Sequence, residues 1–347
     1  MRISIAMATY NGEKYLQEQL RSLEAQTRLP DELVVTDDCS TDQTLKIIEE
    51  FALKSSFPVR VFRNDVNLGY SDNFLKAANL CTGSWISFCD QDDVWLPNKL
   101  EQAAMAIERD SQLTMILQNA ILCDAGLARR GRLFPNKFRP GTYSANDQYG
   151  FWVWPGFLQT VRADWLQKLD STDRPRNYFS RHNLQSHDKW TCMVANALGG
   201  ICILGEEVAL YRRHDMAATG YYRKTSTRKR INQARLVGTG HYRFLSGVAS
   251  ASSAYLKNQV DRVSDKQLRA QLSRSAECYE RLASIQQYRA EIYDSKSIDR
   301  RVRLFLRIWF SGGYIGPRFT AMGVSSLLKD ASCLLTGSLA SRLNNGN

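Results

Sequence analysis

No run of about 18 uncharged apolar residues occurs in the 347-residue chain, so no segment has the length of a membrane-crossing helix. The start, "MRISIAMATYNG", lacks the long apolar core and cleavage site of a signal peptide and reads as a strand entering a turn. The eight cysteines (Cys39, Cys81, Cys89, Cys123, Cys192, Cys202, Cys278 and Cys333) include no C-x-x-C pair and no histidine at zinc-finger spacing. A zinc module is thereby excluded. Several of these cysteines sit in apolar runs, so buried free thiols in a reducing cytoplasm are expected. Neither a G-x-x-x-x-G-K-[ST] loop nor a G-x-G-x-x-G follows the first strand, which weighs against ATPase and dinucleotide-binding readings. Internal repeats and low-complexity segments are lacking too.

What is present is an ordinary globular composition, 44% hydrophobic and 23% charged, with its charge unevenly placed. Residues 1–220 hold 24 Lys+Arg against 27 Asp+Glu, a net of −3. From Tyr221 onward the count is 22 against 8, a net of +14. A near-neutral unit (1–220) is thus followed by a basic region (221–347). Such a region seeks phosphate, on nucleic acid or on an anionic membrane surface.

The first 120 residues alternate strand and helix signals. "ISIAMA" (3–8) predicts a strand and 12–26 a helix with Tyr15, Leu16, Leu20 and Leu23 on one face. "ELVVTD" (32–37) predicts a second strand, and Ser40 with Gln43 reads as a capping box opening the next helix. "PVRVF" (58–62) is a third strand, after which Ser71 caps a helix. "SWISF" (84–88) is a fourth, Pro97 suits the first turn of a further helix, and "LTMIL" (113–117) is a fifth strand. This alternation predicts a Rossmann-like, mostly parallel α/β sheet with helices on both faces. After Tyr221 the chain reads as helical, with Ser264 and Gln267 capping a long helix.

In open α/β sheets, ligands bind beyond the carboxyl ends of the strands. Polar clusters fall there: Thr9, Tyr10 and Asn11 after strand one, Asp37 and Asp38 after strand two, and Asp90, Asp92 and Asp93 after strand four. Two carboxylates one residue apart can reach one hard cation such as Mg²⁺ or Mn²⁺, which shares its oxygen ligands with substrate phosphates. An acid after strand two can accept a hydrogen bond from a ribose or base. Together these clusters suit a nucleoside diphosphate.

The motifs resemble, in order, those of the inverting family 2 glycosyltransferases with the GT-A fold, and within them the bacterial rhamnosyltransferase-type enzymes. The segments are "MATYNGEKYLQEQLRSLEAQT", "VVTDDCSTDQT", "NLGYSDNF", "FCDQDDVW", and the pair "HDKW" and "LYRRHDMAATG". The resemblance covers about residues 1–220, with 1–120 as the nucleotide-sugar half and 121–220 as the acceptor side. It implies that Thr9, Tyr10, Asn11, Asp38, Asn67 and Asp90 meet the nucleotide. It also implies that Asp90 and Asp92 form the D-x-D metal pair, with His214 near the same metal or diphosphate. Asp188 would be the catalytic base, and Trp154, Gly156 and His187 would lie on the acceptor side. Inversion is a single displacement, so one base suffices to take the acceptor proton. Each residue also has a bland alternative. Asp188 could cap its helix, His214 could be a satisfied loop histidine, and Tyr10, Trp152 and Trp154 could be core packing. Asp93 reads as a helix-capping or supporting acid.

The resemblance implies a nucleotide-sugar donor, dTDP-rhamnose first and a UDP-hexose such as UDP-galactose or UDP-GlcNAc next. The acceptor would be a lipid-linked oligosaccharide of a growing surface polysaccharide, at the cytoplasmic face of a bacterial inner membrane. In the tail, "IDRRVRLFLRIWFSGG" places Ile298, Val302, Phe305, Leu306, Trp309 and Phe310 on one stripe, with arginines mostly off it. That pattern suits a helix lying on an anionic membrane, or one packed on the protein's own helices. A sugar-phosphate nucleotidyltransferase is the alternative enzyme, but "ATYNGEKYL" is poor in the glycine and basic residues that hold a triphosphate. A nucleic-acid binder is the non-enzymatic alternative, with no helix-turn-helix or ribonucleoprotein pattern to support it.

Overall fold

The computed structural model describes residues 1–134, 138–178, 183–214 and 239–336. The 220/221 boundary, the part of "LYRRHDMAATG" beyond His214, and the last eleven residues of the tail lie outside the described residues.

The apolar runs become strands β1 (Ile3–Thr9), β2 (Glu32–Asp37), β3 (Val59–Arg63) and β4 (Trp85–Cys89). Every residue of β1, β2 and β4 is buried, as expected of strands covered on both faces. Between and after them run α1 (Leu16–Glu24), α2 (Thr44–Ala52), α3 (Tyr70–Leu80) and α4 (Lys99–Arg109). Next come β5 (Val94–Trp95, ahead of α4), β6 (Met115–Cys123), β7 (Arg129–Arg132), β8 (Gly141–Tyr143) and β9 (Gln159–Arg162). The short α5 (Ala163–Leu166), α6 (His187–Leu198) and β10 (Ile201–Arg212) complete this half.

All ten strands join one sheet, ordered β3-β2-β1-β4-β9-β6-β10-β5, with β7 beside β6 and β8 beside β10. β3, β2, β1 and β4 are mutually parallel. β9 runs antiparallel to both β4 and β6, so β6 and its parallel neighbour β10 point the same way as β4. The result is a mixed, mostly parallel α/β sheet flanked by helices. Its consequence is positional: the carboxyl ends of β1, β2, β4, β6 and β10 all open at one edge.

The C-terminal region is helical, as the sequence predicts: α7 (Thr239–Arg262), α8 (Lys266–Asp294), α9 (Ile298–Phe310) and α10 (Val324–Thr336). Tyr255, Leu256, Leu272, Ala276, Tyr279 and Leu282 of α7 and α8 share the sheet's own hydrophobic core. The Trp190 indole N–H donates to Tyr255 Oη at 3.0 Å, and Tyr279 Oη donates to the Gly150 carbonyl at 2.8 Å. A smaller core, including Tyr242, Ile285, Leu304, Ile308 and Tyr314, surrounds a buried Arg289–Asp330 pair. Arg289 bonds both Asp330 oxygens, at 2.7 and 3.0 Å, and the Tyr293 and Tyr314 hydroxyls donate to them at 2.9 Å. With its oxygens satisfied in this way, the buried charge is tolerable.

The helix starts differ from the sequence reading, each for a local reason. α2 begins at Thr44 without a side-chain cap, because the Ser40 hydroxyl donates to Asp37 instead. Ser71 lies inside α3, and its Oγ accepts from the His187 N–H at 3.3 Å. Asp265, not Ser264, caps α8 by accepting from Leu268 N at 2.8 Å. α1 starts at Leu16, after a turn held by Gly12.

Glu32, almost fully buried at the start of β2, ties β1, β3 and the α3–β4 turn together. Burial alone would raise its carboxyl. Bonds from the Thr82 N–H, Ser4 Oγ, Thr82 Oγ1 and Arg60 outweigh that and hold it at about 2 instead of 4.5. A depressed acid contributes stability that is complete above its unfolded value and is lost as pH falls through its folded one. Wild-type stability should therefore fall between about pH 4.5 and about pH 2. Glu32→Gln should cost about 2–3 kcal/mol at neutral pH and flatten this acid limb, measured by urea unfolding across pH.

Candidate active site

The loop after β4 holds the densest charge. Ligand atoms of Asp90, Asp92 and Asp93 lie within 4.8 Å of one another. Burial, then Asp92, then Asp188 push the Asp90 carboxyl up to about 8. Burial, Asp92 and Asp90 likewise push Asp93 well above the usual carboxylate range, with Arg212 opposing.

Positive groups brace the loop from inside the protein. Arg212, at the end of β10, is almost fully buried. Its backbone N–H donates to Asp93 Oδ1 at 2.9 Å, and its guanidinium donates to the Asp92 carbonyl at 2.8 Å and the Ala125 carbonyl at 2.7 Å, and to Glu18. The buried Lys99 ammonium donates to Gln118 Oε1 at 2.9 Å and lies 4.6 Å from the Trp95 ring centre. Burial drives Lys99 down to about 7, against the charges of Cys89 and Asp93. Asp93 therefore does not start α4, whose N-cap is Asn98; it fastens β10 to the loop. Two residues beyond Arg212, His214 Nε2 meets Asp92 Oδ2 at 2.9 Å, with its ring 4.7 Å from that of Tyr15.

The first two loops interlock beside this cluster. Gln91 clamps Tyr10 by both amide atoms: Tyr10 N–H donates to Oε1 at 2.9 Å, and Nε2 donates to the Tyr10 carbonyl at 3.0 Å. Gly12 makes this possible, since a Cβ there would sit 2.3 Å from Gln91 Oε1. With its backbone held, the Tyr10 ring remains 51% exposed, so it is not core packing. Thr9 lies beneath the site, buried, donating to Asp37 Oδ1 at 3.0 Å. Asn11 adopts a left-handed backbone (φ 46°); its N–H donates to Ser40 Oγ and its Oδ1 accepts from Thr41 N–H, both at 2.9 Å. The Asp38 carboxylate is buried and accepts from Leu68 N, Gly69 N and Asn64 Nδ2 at 2.7–2.8 Å. Asn67 reinforces that loop, donating to the Asp38 carbonyl at 3.0 Å. Asp37 orders the turn through Ser40 and Thr9.

The start of α6 supplies the remaining acid. Asp188 lies in its first turn, where a carboxylate is favoured by the helix dipole. Ser186 Oγ and the Lys189 N–H both donate to Asp188 Oδ1, leaving Oδ2 without a protein donor among the described residues. His187 is buried, with rings of Phe74 at 4.2 Å and Phe88 at 5.1 Å and both nitrogens unpartnered among the described residues. Burial lowers it to about 4, so it is neutral at pH 7. Gly156 makes room for it: a Cβ there would meet His187 Nε2 at 2.2 Å. Trp154 is buried against Phe134 and Phe138 and donates to the Gln118 carbonyl at 2.8 Å, so it packs rather than presents a surface.

Residues 4–169 match the model of glycosyl transferase family 2. The matched stretch, just under half of the chain, is similar to that family. An uncharacterized Mycobacterium tuberculosis protein is 28% identical over 215 residues, 61% of this chain and 59% of that protein, so the match spans under two thirds of its length. The dTDP-rhamnosyl transferase RfbG of Shigella flexneri is 39% identical over 102 residues, 28% of this chain and 35% of RfbG. Among solved structures, S. aureus TarS 1–349 aligns over 100% of this chain and 92% of its own, with TM-score 0.54 and 17% identity. Its complex with UDP-GlcNAc aligns with TM-score 0.54 and 16% identity. At that identity the likeness establishes the shared GT-A-like fold.

The cation that the sequence resemblance implies fits the residues present. The Asp90 carboxylate accepts no protein hydrogen bond among the described residues, the Asp92 carboxylate meets His214 alone, and Asp93 Oδ2 is buried without a partner. Unneutralised carboxylate oxygens with one imidazole are donors that Mg²⁺ or Mn²⁺ accepts. Arg212, Gln91 and Gly12 escaped the sequence reading. Their signals are faint: an arginine closing a strand already interrupted by Glu206 and Glu207, and the middle residue of D-Q-D. Arg212→Met should leave the Asp92 and Ala125 carbonyls and the Glu18 carboxylate without their guanidinium partner and cost about 3 kcal/mol in urea unfolding. A loss below about 0.5 kcal/mol would mean that the guanidinium does not hold the loop.

Proposed function

We propose that the protein is an inverting, metal-dependent glycosyltransferase that moves a sugar from a nucleoside-diphosphate donor to a hydroxyl of a growing, lipid-linked bacterial polysaccharide. The observation that carries this reading is convergence at one sheet edge. Asp90 and Asp92, inside the stretch that resembles family 2, meet His214 from beyond it, and Asp188 is close enough to raise Asp90. dTDP-rhamnose is the leading donor, supported by the local identity to RfbG, with UDP-hexoses next, supported by the UDP-GlcNAc complex of TarS.

In this reading the Tyr10 ring stacks on the nucleobase. Asp38 and Asn67 serve the nucleoside by fixing the 67–69 loop beside it, and Thr9 and Asn11 set the backbone beneath it. Asp90, Asp92 and His214 would hold Mg²⁺ or Mn²⁺, which when bound would supply Lewis-acid neutralisation of the departing diphosphate. Asp188 Oδ2 takes the proton of the acceptor hydroxyl as its oxygen bonds to the anomeric carbon, and the nucleoside diphosphate leaves from the opposite face. The new bond has inverted configuration, and Asp188 returns its proton to solvent. His187, neutral and wedged against Gly156, fixes the first turn that aims Asp188. No helix among the described residues is long and apolar enough to cross a membrane.

Release of dTDP or UDP from candidate nucleotide sugars with Mn²⁺ tests the reaction. Asp188→Asn should reduce transfer to an acceptor hydroxyl by about 10³-fold while leaving nucleotide binding intact. Asp92→Asn should abolish the response to Mn²⁺. If no donor is bound or hydrolysed, and Asp92→Asn changes nothing, the proposal fails.

A further inference from the structure

α9 presents three sectors, and the protein's own core uses one of them. Its inward sector carries Arg301, Leu304 and Ile308, all buried. Arg301 donates to the Cys333 carbonyl at 2.7 Å, fixing the helix against α10. About a third of a turn away, Ile298, Val302, Leu306, Trp309 and Phe310 recur at helical spacing, and all are exposed, Phe310 by 82%. Arg300, Arg303 and Arg307 follow as a third sector along the edge of this apolar stripe, also exposed. Ile315, Val324 and Leu328 add exposed apolar side chains just beyond, with Arg318 exposed among them. A water-facing helix seldom displays leucine, tryptophan and phenylalanine together, and such a patch marks a binding surface.

We propose that this face of α9 docks the protein on an anionic phospholipid surface, with the helix axis in the plane of the interface. Ile298, Val302, Leu306, Trp309 and Phe310 enter the boundary between headgroups and acyl chains. Arg300, Arg303 and Arg307 reach lipid phosphates while their stems lie along the apolar stripe. Charge argues for this occupant: exposed arginines line the edge of the apolar stripe and an anionic bilayer rewards every added cation, whereas a second copy would bring the same positive charge to the interface. The present partners of two arginines are weak rivals. Arg300 pairs with Glu291 at 3.2 Å and Arg303 with Asp299 at 2.6 Å, with both guanidiniums well exposed. Exposed pairs of this kind contribute little and exchange readily for phosphate.

The inference shares no residue with the acidic site and does not rest on the proposed reaction, so its test reads binding alone. Full-length protein is floated with phosphatidylcholine vesicles containing about 30% phosphatidylglycerol at low salt. Co-flotation is expected, and it should weaken about tenfold or more when salt shortens the screening length to about 4 Å. Leu306→Ser/Trp309→Ser/Phe310→Ser should lose binding by about tenfold or more, since three buried apolar contacts go. Arg300→Gln/Arg303→Gln/Arg307→Gln should lose the salt-sensitive part and bind anionic and neutral vesicles alike. Both variants should remain folded by circular dichroism, because none of the altered side chains belongs to the buried cores. The proposal is overturned if wild-type protein stays with the soluble fraction at low salt, or if both triple variants float as well as wild type. It is equally overturned if the apolar variant dissociates a dimer while vesicles bind neither form.

Discussion

Negative charge held against its own repulsion at the end of β4 is the constraint on which the site depends. Asp90, Asp92 and Asp93 converge within one ion's reach, in surroundings that raise two of them well above the carboxylate range. Such crowding favours protonated carboxyls at Asp90 and Asp93, and internal hydrogen bonds hold the loop in place. Arg212 supplies most of the restraint, with Lys99 buried behind. The Arg212 backbone N–H takes up Asp93 Oδ1 and its guanidinium the Asp92 carbonyl, which leaves the Asp90 and Asp92 carboxylates uncommitted among the described residues, apart from His214. The charge is thus braced from inside and left open where a cation and diphosphate are proposed to sit.

Topology makes that arrangement possible. Asp92 and His214 stand 122 residues apart in sequence yet meet at 2.9 Å. They do so because antiparallel β9 separates β4 from β6 and thereby returns β6 and β10 in the β4 direction. α3 closes the other side, its Ser71 accepting from the first residue of α6, the turn that carries Asp188. The two close-contact glycines act at the same level. Gly12 admits the Gln91 amide and Gly156 admits the His187 ring, so each glycine shapes the site through a neighbour's side chain.

The central strands were legible in the sequence because strands buried on both faces are written as unbroken apolar runs. The acidic loop was legible as chemistry at the end of such a run, whereas Asp188 and His214 were singled out only by the resemblance of "HDKW" and "LYRRHDMAATG". What escaped depends on long-range pairing. β9 carries a polar, glutamine-led sequence that becomes a strand through its two neighbours, and β10 includes irregular register against β6. Ser40, Ser71 and Ser264 look like caps by composition, yet tertiary partners claim Ser40 and Ser71 and Asp265 stands closer to the third helix. Trp154 could not be told from an acceptor-side surface until Phe134 and Phe138 were seen to enclose it. The apolar stripe on α9 was legible as a pattern, but its exposure came from the fold.

The account stands on Asp90, Asp92 and His214 forming a seat for a divalent cation that a nucleoside diphosphate completes. Calorimetric titration of Mn²⁺ into the full-length protein, with and without dTDP or UDP, tests this most directly. The account predicts Mn²⁺ binding that tightens by about tenfold or more in the presence of one of these nucleotides, because the cation shares its oxygen ligands with phosphate. It predicts that Asp92→Asn abolishes this gain while the protein remains folded. Absence of Mn²⁺ binding under either condition, or an identical gain in Asp92→Asn, would contradict it.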